Sequence, residues 1–432
     1  MVPIAPRMSL NFKPSKVFYG WWIVGACFLI AMYTSGALFH GFTAIFKPIT
    51  NEFGWSYTQI SFAQSIRGLE VSLVAPLVGI LVDRWGPRKL IFGGVCITSI
   101  GLLLLSRTNS LSVFYIAAVL TAIGMSSSGT WVTMAAVGSW FRRKMGLATG
   151  IMVCGYGAGG FLVPVMVKLI DTYEWRTTMV ILAIGILIIG LPLSLMVRHK
   201  PEQYGYLPDG ELPSTTIPEV EVAAIPDPKA DTEVKRALKS RVFWHLTLAL
   251  TPQFIAIGAV ITHVMPYLSS LGITRSVSGL VAMAIPLMSI SGRFGFGWLS
   301  DKFDKRRLSA DALAILALGL LCFEYIPAGG TWLLVPAIIF LGIGYGGNIP
   351  IMALLVREYF GRNKFGTIIG FVWGILMLGN VTGPPISGWV FDNWGNYQGI
   401  WLAFAGLTAI GIFIMLNTPT VKAWSRKTDR TP

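Results

Sequence analysis

"GILVDRWGPRK" at residues 79–89 returns 218 positions later as "GWLSDKFDKRR" at residues 297–307. Each copy closes an apolar run with a glycine, an acid and a cluster of bases. Matches around it keep nearly the same spacing. "FGWS" at 53–56 aligns with "LGIT" at 271–274, again 218 apart. "WFRRKMGLATG" at 140–150 answers "YFGRNKFGTIIG" at 359–370, with Gly146/Gly366, Gly150/Gly370 and Pro164/Pro384 all separated by 220. Independent matches at nearly one offset predict a duplicated structural unit.

Composition says what that unit is. Hydrophobic residues make up 54% of the 432 and charged residues only 12%, against about 25% in a water-soluble domain. Runs such as "FYIAAVLTAIGMSSSGTWVTMAAVGSW" and "TTMVILAIGILIIGLPLSLMV" exceed the roughly 20 residues that carry a helix across a bilayer. Twelve such segments can be drawn, over residues 18–46, 57–82, 90–107, 112–139, 145–170, 175–197, 241–269, 276–300, 308–326, 332–356, 365–391 and 397–418. Six spans per copy return the chain to its starting side, so the copies run parallel about an axis along the membrane normal. The expected fold is an all-α membrane protein of twelve transmembrane helices in two parallel, pseudo-symmetric six-helix bundles. Residues 1–198 form the first bundle and 241–432 the second. Between them, 199–240 carries six prolines and eight acids without an apolar run, the composition of a cytoplasmic linker.

The net charge of +14 raises nucleic acid as a partner, but its distribution argues for a lipid bilayer instead. Of 34 Lys and Arg, 27 fall on the side holding both termini, five on the other side, and two inside segments. That is the positive-inside asymmetry, which places both termini in the cytoplasm and the chain in the cytoplasmic (inner) membrane. Cys27, Cys96, Cys154 and Cys322 sit in apolar runs without metal-ligand spacing and read as reduced packing residues. The first apolar segment has no small-residue cleavage site and reads as a retained helix.

The repeated loop resembles a signature of the major facilitator superfamily, a G-x-L-x-D-R-x-G-x-R-K pattern after the second helix with a copy after the eighth. The resemblance covers nearly the whole chain. It implies that Asp83 and Asp301 pair with Arg84, Arg88, Arg142, Lys302 and Arg306 in a cytoplasmic gate, although topology alone would also place bases there. "WFRRKMGLATGIMVCG" at 140–155 is similar to a stretch of monocarboxylate transporters, departing at Trp140, Arg143, Met152 and Cys154. "FYGWWIV" at 18–24 looks like the first helix of oxalate–formate exchangers. The organic-anion branch is the one implied.

Two bases lie inside segments. Arg293 stands eight residues before Asp301 with no acid three or four places away, about 12 Å into a core about 30 Å thick. A buried arginine costs about 2.5–3.5 kcal/mol on insertion scales and persists with a partner or a wet cavity. Its counterpart in the first copy is Ala75, so the architecture does not demand it. Both resembling families carry a substrate-binding arginine on the eighth helix, and Arg293 is the candidate carboxylate anchor. A structural arginine capping carbonyls of a neighbouring helix is the alternative.

Arg67 has Glu70 three residues later and Gln64 three before, which predicts a self-neutralised pair on one helix face or, functionally, a proton site at Glu70. The eleventh segment lacks the lysine of oxalate–formate exchangers and has Trp373 there. One free cation predicts one carboxylate, a small monoanion such as lactate or pyruvate, with oxalate/formate exchange as the alternative.

Tyr345, Asn348, Ser128, Trp131 and His263 are further pocket candidates on helices that line the central cavity in major facilitators. Each is also explained by packing or by anchoring at the interface. His263, with Glu70 and Arg67, is a candidate for proton coupling, since Ser289 stands where monocarboxylate transporters place an aspartate. "GYGAGG" at 155–160 lies inside a helix after no strand and is no nucleotide fingerprint. No cofactor, metal or catalytic constellation is indicated, and a monomer is expected. The competing class is a transporter-like membrane sensor that binds without moving its ligand, for which the linker and tails leave no signalling module.

Overall fold

A computed structural model describes residues 18–141, 144–199, 201–204, 207, 209, 234–361 and 365–420. Within these the chain is helical throughout, without strands, and makes twelve passes. α1 runs over Tyr19–Phe53, α2 over Tyr57–Trp85, α3 over Pro87–Ser106 and α4 over Leu111–Trp140. α5 begins as Met145–Ala158 and continues through a tight turn at Gly159–Phe161 into the helical stretch Leu162–Met196. That stretch is not one span. Glu174 leaves helical geometry (φ 64°, ψ 163°), and the chain reverses there. Gly155 packs on Phe28 and Gly41 on Met166, so α5 climbs beside α1. Beyond the break, over residues 175–196, Tyr33 donates to Leu182 O and Tyr19 to Met196 O, so this segment, α6, descends along the same helix.

The second half repeats the plan with α7 (Arg241–Ser270), α8 (Arg275–Leu299), α9 (Lys305–Glu324), α10 (Leu334–Phe360), α11 (Phe365–Trp394) and α12 (Ile400–Leu416). By length and apolar character alone, eight stretches qualify as membrane spans. Part of the shortfall has physical causes: α5 and α6 merge into one, α12 is short, and α9 carries charged side chains.

The duplication is visible in the backbone. Gly54 and Gly272, 218 apart, both end a helix with positive φ (67° and 75°), while Glu174 and Gly395, 221 apart, both take positive φ (64° and 68°) at the reversal after α5 and after α11. Helix starts are set locally: Ser56 and Gln59 close a capping box on α2, Ser240 caps α7 and Asp304 caps α9. Outward faces of α6 and α12 present Ile184, Ile188, Ile410 and Phe413, each at least half exposed, an apolar belt suited to lipid.

Two ends of the molecule are distinguished below. The linker side carries Gly86, Asp304 and the junctions to 199–240; the far side carries Gly54, Glu174, Gly272 and Gly395. The predicted linker's residues 210–233 lie outside the described residues. The described part includes a short helix, Val234–Lys239, leading into α7.

Candidate functional site

Arg293 sits on α8 where that helix is pressed against α10. Gly342 and Gly346, one turn apart on α10, meet the backbone of Ile285 and Ser289, and Gly292 of α8 meets Ile343 O. Small residues at this spacing let two backbones approach closely, and the contact fixes the height and rotation of α8 one residue from Arg293.

From there the guanidinium crosses to the first half, where Nη1 donates to Val153 O of α5 at 3.1 Å. This is the contact expected of a structural arginine, but it uses one donor of five. Nε is buried without a partner, and among the described residues no carboxylate pairs with Arg293. The side chain is only partly buried. Its charge bears on Cys154 of α5 and on His40 of α1.

His40 is the residue that sequence reasoning missed. It ends a π-helical stretch, Ser35–His40, inside α1, a wider turn that recurs at functional sites. Gly36 there faces Gly159 of α5 across a contact too close for any side chain. His40 is buried, with Nε2 3.3 Å from Tyr156 O, and both Arg293 and Arg67 exert their charge on it. A polar residue inside a 35-residue apolar stretch was the available signal. A census restricted to Lys, Arg, Asp and Glu does not register it.

Arg67 behaves differently from the expected self-neutralised pair. Its guanidinium donates to Leu38 O, to Gln64 Oε1 at 3.0 Å and lies 2.7 Å from Met125 Sδ. Glu70 instead accepts from Ser126 Oγ at 2.6 Å, and its Oε1 is buried without a partner. The two charges interact only at longer range. Arg67 faces the interior of the first half, where it lines a cavity of about 30 Å³ with Phe42, Leu102, Phe114 and Met179, space for a single water. It therefore does not join Arg293 at the boundary between halves.

The other candidates disperse. Asn348 is spent inside the second half: its Nδ2 donates to Gln253 Oε1 (2.7 Å), its Oδ1 accepts from Ser309 (2.6 Å), and Gln253 Nε2 reaches Tyr345 O (3.2 Å). This is a satisfied network tying α7, α9 and α10. Trp373 packs edge-on against Phe254, ring centroids 5.5 Å apart. Ser128 bonds back to Gly124 O on its own helix, and the Trp131 side chain lies outside the described residues.

His263 is fully buried on the far side between the halves. Its Nδ1 is 2.8 Å from Tyr397 Oη, and its Nε2 is 2.9 Å from both Ser61 Oγ and Pro384 O. Ser61 gives its own proton to Tyr57 O. The partner set therefore assigns Nε2–H as donor and Nδ1 as acceptor.

The proposed cytoplasmic gate is not engaged among the described residues. Arg306 pairs with Asp304 at 3.0 Å and with Thr418 O (2.5 Å), all within the second half, and Lys302 lies 3.8 Å over the Trp298 ring. Partial burial raises the Asp304 carboxyl, but its hydrogen bonds to Arg306 outweigh this and hold it below the usual range. Arg84, Arg88 and Asp301 are exposed. Arg142 and the Asp83 side chain lie outside the described residues. The described hydrogen bonds between halves run instead at mid-depth and on the far side, through Arg293, Ser65–Val381 O, Thr43–Met265 N and Lys47–Ser269. The far side is closed.

Comparison with known proteins agrees with this architecture. The family model described as Major Facilitator Superfamily matches residues 21–323 and 256–431. The chain is 26% identical to monocarboxylate transporter 12 of Xenopus laevis over 95% of this chain and 91% of that protein. It is 22% identical to human monocarboxylate transporter 2, over 96% and 89%. Among solved structures it is similar to a bacterial homologue of the human lysosomal transporter Spinster, in an inward-facing and unoccupied conformation. The TM-score is 0.68 at 18% identity, over 96% of this chain and 98% of that one.

Proposed function

This chain belongs to the Major Facilitator Superfamily and is a multi-pass membrane transporter, and we propose that it moves a small organic monoanion, such as lactate or pyruvate, by alternating access. The carrying observation is Arg293. It bridges the halves at mid-depth, keeps donors to spare, has a buried unpartnered Nε, and has no acid beside it among the described residues. A carboxylate is the ligand that satisfies a planar fork of donors in one step. Two charge-assisted hydrogen bonds of about 1.5–3 kcal/mol each hold such an anion firmly enough to recognise and loosely enough to release. The names of the relatives, monocarboxylate transporters over nearly the full length, support the same substrate class. Oxalate would call for a second cation at the boundary, and Arg67 faces the interior of the first half instead.

Glu70 is proposed as the proton-carrying group, because it is a buried carboxyl inside α2 whose Oε1 has no hydrogen-bond partner among the described residues. His263 already has a full set of partners. The bias of Lys and Arg to the linker side supports placement in the cytoplasmic membrane with both termini inside. On that reading the linker side faces the cytoplasm, and the charged loops after α2 and α8 close it in the opposite conformation. The division into bundles 1–198 and 241–432 belongs to the same proposal.

The test is counterflow of labelled lactate and pyruvate in proteoliposomes. Exchange by the wild-type chain and its loss in Arg293→Ala are expected. Near-normal exchange in Arg293→Ala would remove that residue from the site, and failure of every small monocarboxylate to exchange would remove the substrate class.

A further inference from the structure

Asp171 near the end of α5 and Asp392 near the end of α11 stand 221 residues apart, and each reaches across to the start of a helix in the other half. Asp392 accepts from Tyr57 N at 2.8 Å, Thr58 N at 2.9 Å and Thr58 Oγ1 at 2.5 Å. Both its oxygens thus serve the first turn of α2, which Ser56 already caps from within its own chain segment. Asp171 Oδ1 lies 2.6 Å from Nε of Arg275, an ion pair by distance without the alignment of a hydrogen bond. Arg275 is the first residue of α8, and its Nη2 also reaches Ala44 O of α1 at 2.8 Å.

Tyr57 and Arg275 are 218 apart, as are the capping positions Ser56 and Thr274. The duplicated fold has therefore made one contact twice. In one copy the acid meets free backbone N–H groups and the positive end of the helix. In the other, where Thr274 makes no side-chain cap, a guanidinium supplies the positive partner.

We propose that Asp171 and Asp392 are twin latches that hold the far side shut and are released together once in each transport cycle. The proposal rests on the reading of the chain as an alternating-access carrier. Three observations distinguish latches from permanent struts. Both carboxylates are solvent-exposed, and the Arg275–Asp171 pair borders an open hollow of about 480 Å³ between α1, α5 and α8. Separated charges there regain water, so each contact is weak enough to break thermally. Both contacts join the first half to the second, whereas Arg176 nearby spends its guanidinium on Glu52, Ser106 O and Thr108 O within one half. Finally, the two latches flank the shared line of closure formed by Lys47–Ser269, Thr43–Met265 and His263.

Distances between the halves on the far side test this directly, without any substrate. Spin labels at Asn109→Cys and Thr331→Cys, on exposed far-side loops of opposite halves, are placed in a chain whose four native cysteines are alanine. The full-length protein is measured by double electron–electron resonance. Losing one latch is expected to raise the ratio of far-open to far-closed molecules about fivefold for Asp392→Ala, the size of one helix cap, and about two- to fivefold for Asp171→Ala, the range of an exposed ion pair. The double variant should show about the product of the two. Asp392→Asn keeps an acceptor oxygen and its fold, and should give a smaller shift in the same direction.

An unchanged distance distribution in the double variant, or in Asp392→Asn should the alanine chains fail to fold, overturns the latch. Counterflow on the same variants separates the two readings. A shift in distance with no carboxylate exchange keeps the latch and removes the substrate, and exchange with no shift does the reverse.

Discussion

Replacing Gly346 by alanine tests whether the α8–α10 contact sets the site. A Cβ built there lies 2.0 Å from Ser289 O and 2.8 Å from Ser289 C, both backbone atoms. Carbon and a carbonyl oxygen rest at about 3.3–3.6 Å, so α10 has to withdraw from α8 by more than an ångström. Side-chain rotation cannot relieve the clash. Overpacking of this kind costs about 1–3 kcal/mol, of which the better helix propensity of alanine returns up to about 1 kcal/mol.

Gly374 on α11 is the matched control. Nothing stands within 4 Å of its Cβ position, so alanine there gains propensity alone. The apparent Tm in detergent should fall for Gly346→Ala and hold or rise for Gly374→Ala. Because Ser289 is one helical turn before Arg293, Gly346→Ala should also weaken carboxylate binding. Equal or raised Tm in both variants would refute the view that backbone contact fixes α8.

Arg293→Lys keeps the charge but loses the planar fork, and is expected to weaken monocarboxylate exchange at least tenfold, with Arg293→Ala below detection; proteoliposome counterflow reads both. Glu70→Gln should abolish pH-driven accumulation while leaving counterflow intact, and loss of both together would place Glu70 in folding instead. Tyr397→Phe strands Nδ1 of buried His263 and should lower stability by about 1–3 kcal/mol, seen as a fall in Tm. The carboxyl of Asp304 is held below its ordinary range in the folded chain. Its contribution is therefore complete above about pH 4 and is lost as pH falls through the folded value. Tm measured from about pH 6 down to pH 3 should drop more steeply for wild type than for Asp304→Asn.

The twelve passes, the reversal near residue 174 and the offset of 218–220 were legible because apolar length and repeated punctuation are one-dimensional signals. Arg293 was legible for the same reason: a charge in an apolar run is costly wherever the helix faces. Direction is what a sequence does not carry. Asn348 and Ser128 stand at plausible depths yet turn to partners inside their own half, and Arg67 turns from Glu70 toward Leu38 O. His40 was missed because its surroundings come from neighbours on α5 and α8, more than a hundred residues away. The capping of α2 by Asp392 likewise joins positions over 330 residues apart, which only the folded chain brings together.

Glu174 and Gly395 turn the chain at equivalent points with positive φ of 64° and 68°, but only one of them is glycine. At φ 64° and ψ 163° the acidic residue occupies a region kept almost wholly for glycine, at a cost on the order of 1–3 kcal/mol that its counterpart escapes. The two halves thus turn on unequal elbows. The bend after α5 stores backbone strain that the bend after α11, built on glycine, does not.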